Sequence, residues 1–113
     1  VETSKPAEEP TEKNTEFAQY NTQDFAKCLA DKGVKMYGAS WCPHCKNQKA
    51  LFGEDVKYLP YIECDADTPG NQAQECIKQG IEGYPTWSFP GQGKVSGEKS
   101  LEELAELSGC KLK

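Results

Sequence analysis

The stretch Val34-Lys35-Met36-Tyr37-Gly38-Ala39-Ser40-Trp41-Cys42-Pro43-His44-Cys45 decides how this chain is read. A short apolar run predicts a strand over 34–38 that delivers the chain to Trp41. A predicted helix then runs from Pro43 toward Phe52, where Gly53 stops it. Proline in the first helical turn loses no needed donor, and its fixed φ starts the helix. Cys42 and Cys45 therefore fall at a helix mouth, where two cysteines separated by two residues can close a small disulfide ring. The first thiol faces unpaired backbone N–H groups and the positive helix end, which favours a thiolate. Because the thiolate is the nucleophile in disulfide exchange, the spacing predicts a redox dithiol. Cys42 exchanges with substrate and Cys45, one turn inside, resolves the mixed disulfide. His44, between them, tunes the Cys42 sulfur if its ring faces it; otherwise it is a solvated helix residue.

The same spacing is half of a zinc site that His44, Cys64 or Cys76 would complete. Structural zinc sites usually pair two such turns, however, and there is no second Cys-x-x-Cys. Pro43 and the preceding strand also favour redox chemistry over zinc and over a purely structural local disulfide. No metal or bound cofactor is expected beyond the Cys42/Cys45 disulfide.

Working outward, Asn21 or Thr22 can cap a helix with Phe25, Cys28 and Leu29 inward, ending near Gly33. Residues 61–64 read as a second strand, and the Asp, Thr, Pro and Gly of 65–70 as a loop. Asn71 opens a third helix with Ala73, Cys76 and Ile77 inward, closed by Gly80. Residues 86–89 and 94–96 are strands around Pro90, Gly91, Gln92 and Gly93. Ser100 with Glu103 forms a capping box for a last helix carrying Leu101, Leu104 and Ala105, ended by Gly109. Strands alternating with helices and then a hairpin give an α/β chain: a mixed sheet of about four strands with helices on both faces. This is the arrangement of the thioredoxin-like fold, with its first strand missing or hidden in residues 17–20. Gly83-Tyr84-Pro85-Thr86-Trp87 stands at a strand start. A trans proline is tolerable there; given the upstream dithiol, a cis bond is expected, turning the Tyr84 backbone toward an extended substrate beside Cys42. Trp41, Pro43, Tyr84 and Pro85 are the candidate substrate-binding residues.

At 113 residues the chain holds one domain, over residues 17–113. The first sixteen residues are almost entirely Glu, Lys, Thr, Ser, Pro and Asn and cannot offset the cost of ordering. They read as a tether spanning on the order of 20 Å, or as a leader without a role. A net charge of −5 without a basic cluster argues against nucleic acid and anionic lipid. No apolar stretch approaches the roughly twenty residues of a membrane span. Val1 is not a start methionine, so the chain reads as processed, with any export signal or membrane segment removed. Six cysteines in so small a domain point to an oxidising compartment.

The stretch 36–45, with Gln48, Lys49, Phe52 and Gly53, resembles the thioredoxin-like domain attached to vitamin K epoxide reductase homologues. Similar residues follow in order: Tyr61, Glu63 and Cys64; Gly80, Ile81, Tyr84, Pro85, Thr86 and Trp87; Ser100, Leu101, Leu104, Ala105, Ser108 and Gly109. The resemblance covers 34–109. The dithiol and Tyr-Pro-Thr-Trp are common to thioredoxin-like proteins; the Met-Tyr-Gly-Ala lead and Glu63-Cys64 are more specific. It implies a monomeric, membrane-tethered domain in the periplasm or thylakoid lumen. Such a domain takes electrons from the thiols of substrate proteins and passes them to a fused or separate membrane quinone reductase. Ordinary thioredoxins carry a buried carboxylate six positions before the first cysteine; here that position is Met36. The loss burdens a disulfide reductase or isomerase more than an oxidase, so oxidation of substrate thiols is the expected direction.

Cys64 and Cys76 are expected to bridge the 65–70 loop, contributing about 3 kcal/mol in the chain-entropy model; two free thiols or a second shuttle pair are the alternatives. Cys28, on the apolar face of its helix, and Cys110, after the last helix, either bridge or stay free. A non-enzymatic binding module, stapled by its cysteines or holding zinc, is the rival from another class.

Overall fold

The computed structural model describes residues 20–113. The expected tether at 1–16, and residues 17–19 of the segment expected to hide a first strand, lie outside the described residues. Helix α1 (Thr22–Asp31) is capped by Asn21, whose side chain accepts the Asp24 N–H at 3.0 Å. Strand β1 (Lys35–Gly38) leads to helix α2 (Pro43–Ala50), and a 3₁₀ turn (Gly53–Tyr58) follows. Strand β2 (Tyr61–Glu63), helix α3 (Ala73–Lys78), strands β3 (Thr86–Phe89) and β4 (Gly93–Ser96) and helix α4 (Leu101–Ser108) complete the order. Helix α4 carries the full capping box of Ser100 and Glu103, and ends on Gly109 at φ +82°, a left-handed conformation that favours glycine.

The four strands form one sheet in the order β2-β1-β3-β4. β1 runs parallel to β2, as its helical crossover requires, and antiparallel to β3; β3 and β4 form the hairpin. The expected mixed sheet with helices on both faces is what the chain builds.

Residues paired in register share a sheet face. Met36 lies opposite both Tyr61 and Trp87, and this face receives Phe25, Ala26 and Leu29 from α1, Cys45 from α2 and Leu101 and Leu104 from α4. Trp87 at its centre is 0% exposed. Tyr37 and Ile62 point to the other face, which holds a smaller cluster completed by Cys64 and by Cys76 of α3.

Three details differ from the sequence reading. The 3₁₀ turn was not foreseen; it opens on Gly53 at φ +55° and packs along α1, where Thr22 Oγ1 donates to Asp55 Oδ2. Ile77, expected inward, is 69% exposed. α3 is only six residues long and is pinned through Cys76, so the next residue, about 100° further round the helix, turns out to solvent. Cys28 is partly buried, while its neighbour Ala26 takes a core position.

Candidate active site

The end of β1 places the dithiol. The Cys42 N–H donates to Ala39 O at 3.1 Å, closing a turn that sets Cys42 as the N-cap of α2 with Pro43 in the first helical turn. In this position the Cys42 sulfur accepts the Cys45 backbone N–H at 3.2 Å. It thus occupies the place of the oxygen in an ordinary side-chain cap. Both thiols are free, whereas the other four cysteines are joined as Cys28–Cys110 and Cys64–Cys76. Cys42 retains 4% exposure and Cys45 none, so the outer position belongs to Cys42 by a narrow margin. Burial, and then the hydrogen bond with Cys42, push the Cys45 thiol up to about 12. Cys45 is therefore a protonated thiol at neutral pH.

The Tyr84–Pro85 bond is cis. The Cys42 thiol lies 3.7 Å from Tyr84 O and points toward it, while Pro85 O accepts the Gly97 N–H at 2.8 Å. The ring of Trp41, 62% exposed, meets Tyr84 edge-on with centroids 5.8 Å apart. Trp41, Cys42, Pro43, Cys45 and Tyr84 are thus brought to one end of the sheet, with Pro85 buried beneath. His44 projects elsewhere. Its Nδ1 lies 3.7 Å from Glu98 Oε2, and among the described residues this is its polar contact.

The zinc alternative loses two of its ligands, because Cys64 and Cys76 are bonded to each other. Among the described residues no group of three or more His, Cys, Asp or Glu side chains is arranged to hold a metal ion.

Two supports of the site were missed as functional positions. Gln48, one turn beyond Cys45 and 1% exposed, accepts Trp87 Nε1–H at 3.1 Å and the Lys99 N–H at 2.7 Å, and donates to Lys99 O at 2.8 Å. It locks the dithiol helix to β3 and to the approach to α4. A helical offset of three from Cys45 was the available signal. The second is Glu63, which accepts the Ser40 N–H at 2.9 Å, the Asp65 N–H at 3.0 Å and the Tyr61 hydroxyl at 2.9 Å. No periodicity marks it, since its role depends on the pairing of β2 with β1.

The family model for thioredoxin matches residues 11–108. Among curated proteins, the chain is 46% identical over 92 residues to "Thiol-disulfide oxidoreductase LTO1" of Arabidopsis thaliana, covering 78% of this chain and 24% of that protein. It is 32% identical over 92 residues to "Protein disulfide isomerase-like 2-2" of Oryza sativa subsp. japonica, covering 68% of this chain and 23% of that protein. The chain therefore spans about a quarter of the length of each of these relatives.

Proposed function

This chain belongs to the thioredoxin family, and from that premise we propose that it is a thiol:disulfide oxidoreductase working through Cys42 and Cys45, in the direction that oxidises substrate proteins. One observation carries the reading. Among six cysteines the two at the helix mouth are free, close enough for the Cys45 N–H to bond the Cys42 sulfur, while the other four are paired.

A substrate thiolate attacks Cys42 Sγ of the Cys42–Cys45 disulfide, forming a substrate–Cys42 bond as Cys45 leaves with the electron pair. A second substrate thiolate attacks the substrate sulfur of that mixed disulfide. Substrate leaves oxidised, and Cys42 and Cys45 are left reduced by two electrons. Tyr84 offers its backbone and Trp41 its exposed ring to the incoming chain, with Pro43 and Pro85 fixing the rim.

The name of the Arabidopsis relative supports exchange chemistry, and apolar Met36 in the core supports the oxidising direction. The electrons then pass to a membrane quinone reductase of the vitamin K epoxide reductase type, fused or separate. Two closed disulfides support a periplasmic or luminal location. The name of the rice relative favours a second reading, disulfide isomerase or reductase.

The Cys45→Ala variant is expected to accumulate mixed disulfides through Cys42 when given reduced substrate proteins followed by an oxidant, and their absence sinks the proposal. Titration of the couple separates the directions: a potential near about −120 mV marks a disulfide donor, and one near about −270 mV a reductant.

A further inference from the structure

Cys42 and Cys45 differ little in exposure, 4% against 0%, so what covers Cys45 decides which sulfur a partner can reach. Cys45 packs on the sheet face that carries Met36, and Gly38, two residues further along β1, points to that same face. β2, the neighbour of β1, is the edge strand of the sheet. With glycine at position 38, nothing on β1 screens Cys45 from the side of that edge. Tyr61 of β2, paired with Met36 and on the same face, fills the opening. A methyl group added at Gly38 would lie 3.0 Å from Cys45 Sγ, 2.8 Å from Tyr61 Cε1 and 3.2 Å from Tyr61 Oη. Sulfur and ring edge therefore border the same absent side chain.

The ring is held from two elements. Its hydroxyl donates to Glu63 Oε1 on its own strand at 2.9 Å, and Glu63 Oε2 is fixed in turn by the N–H groups of Ser40 and Asp65. From α2, Lys49 Nζ sits 4.2 Å from the ring centroid, and Lys49 follows Cys45 by one helical turn. Tyr61 thus ties the edge strand to the dithiol helix. It packs on the large core yet stays partly exposed, so the side chain has core within and solvent without. Behind it Cys45 is dry, and that burial is the first cause of its thiol being pushed up to about 12.

We infer that Tyr61, lying in the space that Gly38 leaves, is a positioning residue that walls Cys45 off from external sulfur and so makes Cys42 the port of exchange. The inference rests on the exchange chemistry proposed above. Where the ring is removed, Cys45 Sγ as thiolate attacks a disulfide brought from outside. A bond from Cys45 to one outside sulfur forms, the outside disulfide breaks, and its other sulfur leaves with the electron pair. With the ring in place that reaction belongs to Cys42, and Cys45 exchanges with Cys42 alone.

The test follows, by mass spectrometry, the transfer of glutathione from glutathione disulfide onto the full chain carrying Cys42→Ser, in which serine keeps the helix cap and Cys45 is the free thiol left. Adding Tyr61→Ala is expected to speed transfer to Cys45 at least about tenfold. Tyr61→Phe, which keeps the ring, is expected to stay nearer to tyrosine than to alanine, and a phenylalanine chain as reactive as the alanine one overturns the ring as the wall. A rate that climbs with urea as steeply as global unfolding marks entry by unfolding. Tyr61→Val, suited to a strand but too short to span the gap, then carries the test. Rates within about twofold of the tyrosine chain in both small variants, or raised only through unfolding in both, overturn the inference. Cys45→Ala protein measured in parallel separates the two claims: a Cys42 that never takes up glutathione defeats the function proposed above, and the wall with it.

Discussion

Helices α1, α2 and α4 bury Phe25, Leu29, Cys45, Leu101 and Leu104 against Met36, Trp87 and Phe89, whereas α3 brings one fully buried side chain, Cys76, to Tyr37 and Ile62 on the opposite face. The thick face holds its two thiols at fixed distance by packing and by Gln48, with no covalent bond between them. The thin face has too little apolar area for that, and a disulfide takes the place of the missing core. The thick face keeps one sulfur pair open while closing another, Cys28–Cys110, whereas the thin face closes its pair, Cys64–Cys76.

The largest loss of stability is expected at the bridge that ties α1 to the chain after α4. Cys28 and Cys110 are 82 residues apart, and Cys28→Ser with Cys110→Ser is expected to lower unfolding free energy by about 4.5 kcal/mol in the chain-entropy model, read by urea titration. Losing the Cys64–Cys76 bridge, with its separation of 12, is expected to cost about 3 kcal/mol. Amide exchange adds a sharper distinction: α3 amides should lose protection well before those of β1 and β3, and uniform loss over both faces contradicts the account of the thin one.

On the thick face Gln48→Leu keeps the volume but strands Trp87 Nε1–H and the Lys99 N–H, for an expected loss of about 2 kcal/mol. A change below about 0.5 kcal/mol would show that packing alone holds the dithiol helix.

The last effect shows only at high pH, as an alkaline drift confined to the reduced protein. The folded Cys45 thiol ionises near 12, above its ordinary value of 9.0. The unfolded chain therefore gives up this proton first, so stability present below pH 9 falls as pH rises toward 12. The oxidised protein has no such thiol. Parallel alkaline melting curves for the two forms would contradict this assignment of the Cys45 environment.

Much of the architecture was legible because its signals are local. The capping box of Ser100 and Glu103, the glycine stops and the proline at the start of α2 mark ends within a few residues of themselves. The dithiol was legible for the same reason. What escaped is set by contacts distant in the chain. The outward turn of Ile77 follows from pinning Cys76 to Cys64, and the bond from the Ser40 N–H to Glu63 follows from the register of β1 and β2. The pairing of Cys28 with Cys110 had no local mark, because only the assembled fold brings the two helices together. The contact of His44 with Glu98 joins α2 to the segment after β4, beyond the reach of any short motif.

The bond from Cys28 to Cys110 also makes the domain a closed loop to any force applied along the chain. A pull on its two ends is carried across the sulfur bridge, and the 82-residue interval between those positions lies in the slack. Stretched singly between a surface and a probe, the intact protein would yield almost no extension from its interior. Cutting the bridge would release on the order of 280 Å of new contour length.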